Sequence, residues 1–155
     1  MAILDINTAL ATAFAPTSGT QYPSVYLDTG ALDDWGMGND WIWYIQLAAT
    51  FTVGTSLDLQ LQGNNTDPTF ATGTNVVILD TGVIAEANLL IGAEFKLKVP
   101  RAFTYANANL NINDYRYIRI KAISAGTHST GSLNSWLTMD AMQDNLPPAI
   151  GYTVK

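Results

Sequence analysis

The chain has no cysteine, a single histidine, little charge, and no Lys or Arg anywhere in its first 95 residues. Each shortage excludes something. Without cysteine there is no disulfide framework and no thiolate metal site. The one histidine, His128, lies in a Ser/Thr/Gly stretch, so imidazole metal clusters and Ser-His-Asp triads lack material. Asp, Glu, Lys and Arg make up 13% of the residues, against a usual ~25%. A net charge of −6 and a pI near 4.3 argue against the basic surface of a nucleic-acid binder. No apolar run approaches the ~18 residues of a membrane helix, so no membrane partner is expected. The N-terminal run from Ala2 to Ala15 has no preceding Lys or Arg and is interrupted by Asp5 and Asn7. It is not read as a secretion signal, and the protein is expected to be made and used without secretion.

What is present suits a folded domain. The 155 residues are 48% apolar, with aromatic and β-branched residues throughout, which disfavours disorder. A chain of this length buries roughly 70% of its unfolded surface and favours a single domain. No internal repeat, low-complexity tract or second domain stands out.

Period-two alternation dominates. Leu57, Leu59 and Leu61 alternate with Asp58, Gln60 and Gln62; Phe95, Leu97 and Val99 with Glu94, Lys96 and Lys98; Ile118, Ile120 and Ala122 with Tyr117, Arg119 and Lys121. Each pattern predicts a strand with one buried and one wet face. Residues 41–51 begin apolar on both faces, as in a central strand covered on both sides. Further strands are predicted at 24–27, 76–79 and 133–141, and a short helical turn at 84–90. Turn signals fall at Gly63-Asn64-Asn65, Asp67-Pro68, Thr81-Gly82, Val99-Pro100 and residues 124–131. Seven or eight strands with Greek-key-length connections indicate an all-β, single-domain β-sandwich or jelly roll.

The two ends differ from the middle. Residues 1–20 are rich in Ala and Thr, carry no charge after Asp5, and read as an extended N-terminal arm that orders against a neighbour, with the domain proper at 21–155. Leu146-Pro147-Pro148 begins a C-terminal tail that reads as extended.

Charge is segregated along the chain. Residues 1–95 carry ten acids and no cation, a charge of −10. The rest carry seven cations (Lys96, Lys98, Arg101, Arg116, Arg119, Lys121 and Lys155) and three acids, giving +4. Acidic and basic strands can pair within one sheet. Alternatively, an acidic face of one copy can meet a basic face of the next.

The most specific catalytic pattern is Leu27-Asp28-Thr29-Gly30-Ala31, the form of an aspartic-protease motif, with its core repeated in Leu79-Asp80-Thr81-Gly82. In that chemistry two aspartates share one proton and act as base and acid on water. Leu90-Ile91-Gly92 stands at about the distance a retroviral-type protease using Asp28 would require. The sequence then departs from the pattern: an alternating strand follows Gly92 where a helix is needed, and a Gly- and Asp-rich loop follows Asp28. Asp-Thr-Gly is also ordinary turn chemistry, which is the preferred reading. Asp28, Asp33, Asp34 and Asp40 lack the regular spacing of a Ca²⁺ loop. Trp35, Trp41 and Trp43 raise a sugar-stacking platform, but Trp41 and Trp43 share a face and fit core packing better. No catalytic residue, metal site or cofactor is assigned.

An ordered series of segments remains: Tyr22-Pro23-Ser24-Val25-Tyr26-Leu27-Asp28; the loop Asp34-Trp35-Gly36-Met37-Gly38; Thr50-Phe51; Leu57-Asp58-Leu59-Gln60-Leu61-Gln62; Phe95-Lys96-Leu97-Lys98-Val99-Pro100; Tyr115-Arg116-Tyr117-Ile118-Arg119-Ile120; Trp136-Leu137-Thr138-Met139-Asp140-Ala141-Met142-Gln143; and Gly151-Tyr152-Thr153-Val154. The series resembles the cement (decoration) proteins that reinforce the heads of tailed bacteriophages, over most of residues 20–155. The resemblance implies a non-enzymatic jelly roll on the outer capsid surface, assembled in the host bacterial cytoplasm. It also implies homo-oligomers, a dimer favoured over a trimer, that bridge neighbouring major capsid protein subunits. On that reading the expected contacts are the 1–20 arm, the acidic loop (Asp33, Asp34, Trp35) and the cations Lys96, Lys98, Arg101, Arg116, Arg119 and Lys121. A carbohydrate-binding or fibre-type virion module is the alternative.

Overall fold

A computed structural model describes residues 9–28, 41–99 and 115–139. They form ten strands: β1 Ala9–Phe14, β2 Ser18–Gln21, β3 Leu27–Asp28, β4 Trp41–Thr52, β5 Ser56–Asn64, β6 Val76–Asp80, β7 Ile84–Ala85, β8 Glu94–Lys98, β9 Tyr117–Thr127 and β10 Thr130–Met139. A 3-10 turn at Glu86–Asn88 is the helical element among the described residues.

The strands make two antiparallel sheets. One has the order β1-β10-β4-β8 and the other β2-β9-β5-β6. In the second sheet β2 and β3 pair in succession with β9, and β6 and β7 in succession with β5, so each pair occupies one position. Eight positions result, ordered 1-8-3-6 in one sheet and 2-7-4-5 in the other. That is a jelly roll, as the alternation predicts.

The core lies between the sheets. Leu57, Leu59 and Leu61 of β5 and Ile118, Ile120 and Ala122 of β9 point inward and are fully buried. From the facing sheet, Trp43, Ile45, Leu47 and Leu137 meet them. Burying each large aliphatic contributes about 1.5–3 kcal/mol. Trp43 keeps its polar edge satisfied by donating from Nε1 to Ser135 Oγ at 2.8 Å. The start of β4 is buried on both faces, Trp41 to Ile45 without a break, matching its apolar sequence.

Several expectations are corrected or narrowed. Residues 9–20 are not an arm: β1 is an edge strand bonded to β10, with Leu10 and Ala11 fully buried, and β2 is bonded to β9. Apolar residues at Leu10 and Ala11 suffice for docking, despite the Ala/Thr-rich composition. Residues 1–8 and the C-terminal tail lie outside the described residues. The strand expected at 24–27 shrinks to Leu27–Asp28. Gly63 and Asn64 belong to β5 rather than to a turn, and residues 124–131 continue the β9 and β10 ladders, with only His128 and Ser129 between them. The short helical turn expected at 84–90 is present but narrower, the 3-10 turn Glu86–Asn88 preceded by β7.

Four connections cross between the sheets at one end of the sandwich: 15–17, 53–55, 86–93 and 128–129. Main-chain bonds tie them together. His128 N–H donates to Thr17 O (2.7 Å), Ser129 N–H to Thr52 O (3.0 Å), Thr55 N–H to Ala125 O (2.9 Å) and Glu86 N–H to Thr55 O (3.0 Å). The His128 ring is 2% exposed, lies edge-on to Phe51 at 5.2 Å, and places Nε2 3.2 Å from Ser56 O. Gly54 is required beside it, because a Cβ there would stand 2.1 Å from the imidazole.

Candidate functional site

The structure places the expected contact cations on opposite faces. Lys96 and Lys98 alternate outward on β8 of the first sheet; Arg116, Arg119 and Lys121 lie on or just before β9 of the second. The outward faces of a sandwich look away from one another, so these residues do not make one patch. Asp33, Asp34, Trp35 and Arg101 lie outside the described residues.

Most of the cations are matched within the protomer. Arg116 donates from Nε to Asp28 Oδ1 (3.0 Å) and from Nη2 to Asp28 Oδ2 (3.3 Å), a two-point pair between β3 and the start of β9. Lys96 lies 3.1 Å from Glu94, which also accepts from Tyr44 Oη at 2.6 Å. Lys121, opposite Gln60 and diagonal to Asp58 across the β5–β9 ladder, lowers the proton affinity of Asp58. These are acids of the first half meeting cations of the second, which favours pairing within the fold as the use of the segregated charge.

Arg119 is 9% exposed and serves the interior of the protomer rather than an outer contact. Its guanidinium lies 3.7 Å from the Tyr22 ring centroid and 4.1 Å from that of Phe70. Nη1 donates to Thr69 O, and Nε and Nη2 to Gln62 Oε1. Burial strips water from the guanidinium and pulls its pKa down, and stacking between two rings with bonds to two carbonyl oxygens offsets that loss. It binds the β2–β3 segment and the 65–75 loop onto the outer face of the second sheet. Asp67 shapes that loop by accepting from the amides of Thr69, Ala71 and Thr72 and from both threonine hydroxyls.

The outer face of the same sheet carries a carboxylate pair. Gln60 is opposite Asp80 in the β5–β6 ladder, and Asp58 is the next outward residue of β5. Burial, then the hydrogen bond and charge of Asp80, push the Asp58 carboxyl up to about 6. Burial acts against ionisation of Asp80 too, but donation from Gly82 N–H, with Asp58 and Gln60, outweighs it and holds Asp80 below the usual range. Gln60 Nε2 donates to Asp80 Oδ2 at 3.0 Å.

Asp80-Thr81-Gly82 resolves as turn chemistry, and of the first Asp-Thr-Gly motif Asp28 is described, held in an ion pair. Asp80 Oδ1 accepts from Gly82 N–H at 2.5 Å, and Gly82 has φ +68°. Asp28 is engaged by Arg116 at the opposite edge of the sheet, with β9 and β5 between it and Asp80, so the two motifs do not form a dyad. Trp43 is fully buried and Trp41 nearly so, which removes them as a sugar platform. Among the described residues no three His, Asp or Glu side chains are grouped to hold a metal ion. No described helix is long and apolar enough to cross a membrane.

No family model matches the chain, and no curated protein matches it.

Alternation along β5 and β9 already places Asp58, Lys121 and Arg119 on an outward face. The partnership of Asp58 with Asp80 depends on strand order and register, which sequence reading missed. The stacking of Arg119 likewise depends on two loops whose paths are set far from β9.

Proposed function

We propose that the protein is a non-enzymatic structural component of a virion, a cement protein that binds the outside of a capsid shell and stabilises it by bridging neighbouring major capsid protein subunits. One observation carries the reading. The described segments that resemble the cement proteins fall in order on the elements of a jelly roll: Leu27-Asp28 on β3, Thr50-Phe51 on β4, Leu57–Gln62 within β5, Phe95–Lys98 on β8, Tyr117–Ile120 on β9 and Trp136–Met139 on β10. These segments supply paired strands of both sheets, and the jelly roll they build is the fold that the resemblance implies.

The site chemistry is compatible with that role. Asp28, Asp67, Asp80, Glu94, Arg116 and Arg119 are used to hold strands and loops together, as a mechanical component requires. A lattice of many copies can resist internal pressure through individually small contacts, because avidity multiplies them. The protein is expected to self-associate, a dimer favoured over a trimer, and to act on the outer shell surface after assembly in the host cytoplasm.

The test is co-sedimentation with mature, cement-free heads of the same phage. Saturable pelleting, with the heads then surviving heat or low salt better, is expected. A folded oligomer that does not pellet would overturn the proposal.

A further inference from the structure

Each sheet ends in edge strands, and an edge offers unpaired N–H and C=O groups to any strand that comes alongside. Three of the edges among the described residues are guarded. β8 carries Glu94, Lys96 and Lys98 within five residues. β1 is bent by two register shifts and by Ala13 at φ +48°. The position shared by β2 and β3 is broken into pieces of four and two residues, with Pro23 between them. Charge, bulges and short interrupted strands are the devices that keep edges from pairing.

β6 is the least guarded edge. Val76-Val77-Ile78-Leu79 has no charge, proline or glycine, and its first three residues are β-branched. The strand bonds to β5 on one side, and no described strand lies on the other. The single register shift in its pairing falls at Ile78, whose side chain is buried in the core. Val76 and Leu79 also pack against the core but stay half-buried, whereas Leu57, Leu59 and Leu61 of the adjacent β5 are fully buried. Val77, opposite Gln62, is half-buried on the outward side. The sheet therefore stops at a strand that is apolar on both faces and incompletely covered on both, and one more strand would complete that cover.

Charge and symmetry identify the occupant as a second copy. Asp80 is the one charged residue of β6 and stands at its C-terminal end. Antiparallel pairing of β6 with the same strand of a second copy puts the two Asp80 side chains at opposite ends of the ribbon. Each then lies toward the uncharged Thr74-Asn75 end of the other strand, whereas parallel pairing would set carboxylate beside carboxylate. The antiparallel arrangement is two-fold symmetric, uses the same strand from both copies and closes at two, because neither β6 is left free. Pairing β6 with one of the other edges would meet their lysines, bulges or interruptions and leave one β6 open for a further copy. Resting on the self-association in the reading above and not on its capsid binding, we infer that β6 is the dimerisation edge. It joins the second sheets of two copies into one continuous antiparallel sheet, in which main-chain hydrogen bonds supply the affinity and the valines supply the fit.

The experiment is sedimentation velocity of the full-length wild type and of Val77→Lys across a range of protein concentrations, with amide exchange of the wild type at the two ends of that range. The wild type is expected to reach twice the 16.7 kDa chain mass. A lysine on the edge strand is expected to raise the dimer dissociation constant about tenfold or more, with the β-sheet circular dichroism spectrum retained. Amides of β6 are expected to gain protection as concentration rises, while those of β1 and β8 do not, and this reading needs no variant. A wild type that stays monomeric would overturn the inference. So would a dimer whose β6 amides ignore concentration, or one that folded Val77→Lys leaves intact. Pelleting on cement-free heads is followed in parallel. A monomer that pellets, with β6 amides protected only on the heads, would make a capsid strand the occupant; that overturns the dimer edge and leaves the cement reading standing. A β6-linked dimer that does not pellet would remove the cement reading and leave the edge.

Discussion

Asp58 and Asp80 stand on neighbouring strands of one outward face, where the charge of each shifts the ionisation of the other. Asp58 is the member that keeps the proton, its carboxyl raised to about 6 by burial and then by its neighbour, while Asp80 is held low by Gly82 and Gln60. Below the ordinary aspartate range Asp58 is protonated in both folded and unfolded chains and contributes nothing to pH dependence. Between about 4 and about 6 the folded chain binds more protons, so stability falls as pH rises through that window. Thermal melts at pH 5 and pH 8 should therefore show the lower midpoint at pH 8 from this pair. Asp58→Asn, which mimics the protonated form, should raise the pH 8 midpoint by about 2–4 °C and flatten the difference. That corresponds to about 1 kcal/mol after allowing for solvent screening at a partly exposed site.

Gly54 and His128 should be coupled. Gly54→Ala drives a methyl group into the buried imidazole and is expected to destabilise by about 1–3 kcal/mol. His128→Ala removes the obstacle, so the double variant should be less destabilised than the two single effects added. Urea denaturation of the four proteins closes the cycle; additivity would mean the ring and the turn do not meet.

Trp43→Phe tests the buried hydrogen bond between the strands. Both partners are fully buried, so the substitution leaves Ser135 Oγ without its donor as well as losing packing. A loss of about 2–3 kcal/mol in urea unfolding is expected, partly recovered in Trp43→Phe with Ser135→Ala.

Arg119→Met should release two loops at once. It keeps much of the stem's volume but loses both ring contacts and the donors to Gln62 and Thr69, an expected loss of about 2 kcal/mol. Amides of Thr69, Ala71 and Thr72 should exchange faster in the variant, while those of β10 should not change beyond the global loss.

Acid should loosen the 65–75 loop separately from the Asp58 effect. Asp67 is held well below the usual carboxylate range by the Thr69 hydroxyl and amide and by Thr72. Its contribution is present above the ordinary aspartate value and is lost as pH falls through the lower folded value. Amide exchange of the loop, corrected for intrinsic rates, should lose protection in acid, and Asp67→Asn should remove that pH dependence.

Strand identity was written in the local pattern. The alternations at 57–62, 94–99 and 117–122 prescribe which side chains point inward whatever the partner strand, because the pleat has a period of two. The two-sided apolar start of β4 likewise announced a covered strand, and the low charge with no cysteine announced a core held by packing. Asp80-Thr81-Gly82 read correctly as a turn, since an aspartate bonding its own backbone needs only local geometry. Position across the sheets was decided by tertiary structure. Ala9–Phe14 has an Ala-rich, weakly patterned sequence that resembles an arm, yet β10 offers an edge and the core takes Leu10. Arg119 alternates outward like Lys121 and would count as a free cation, except that Tyr22 and Phe70 arrive from two loops to enclose it. Asp58 meets Asp80 only because strands distant in sequence are neighbours in a jelly roll. Local pattern sets the direction of a side chain; long-range pairing chooses what it meets.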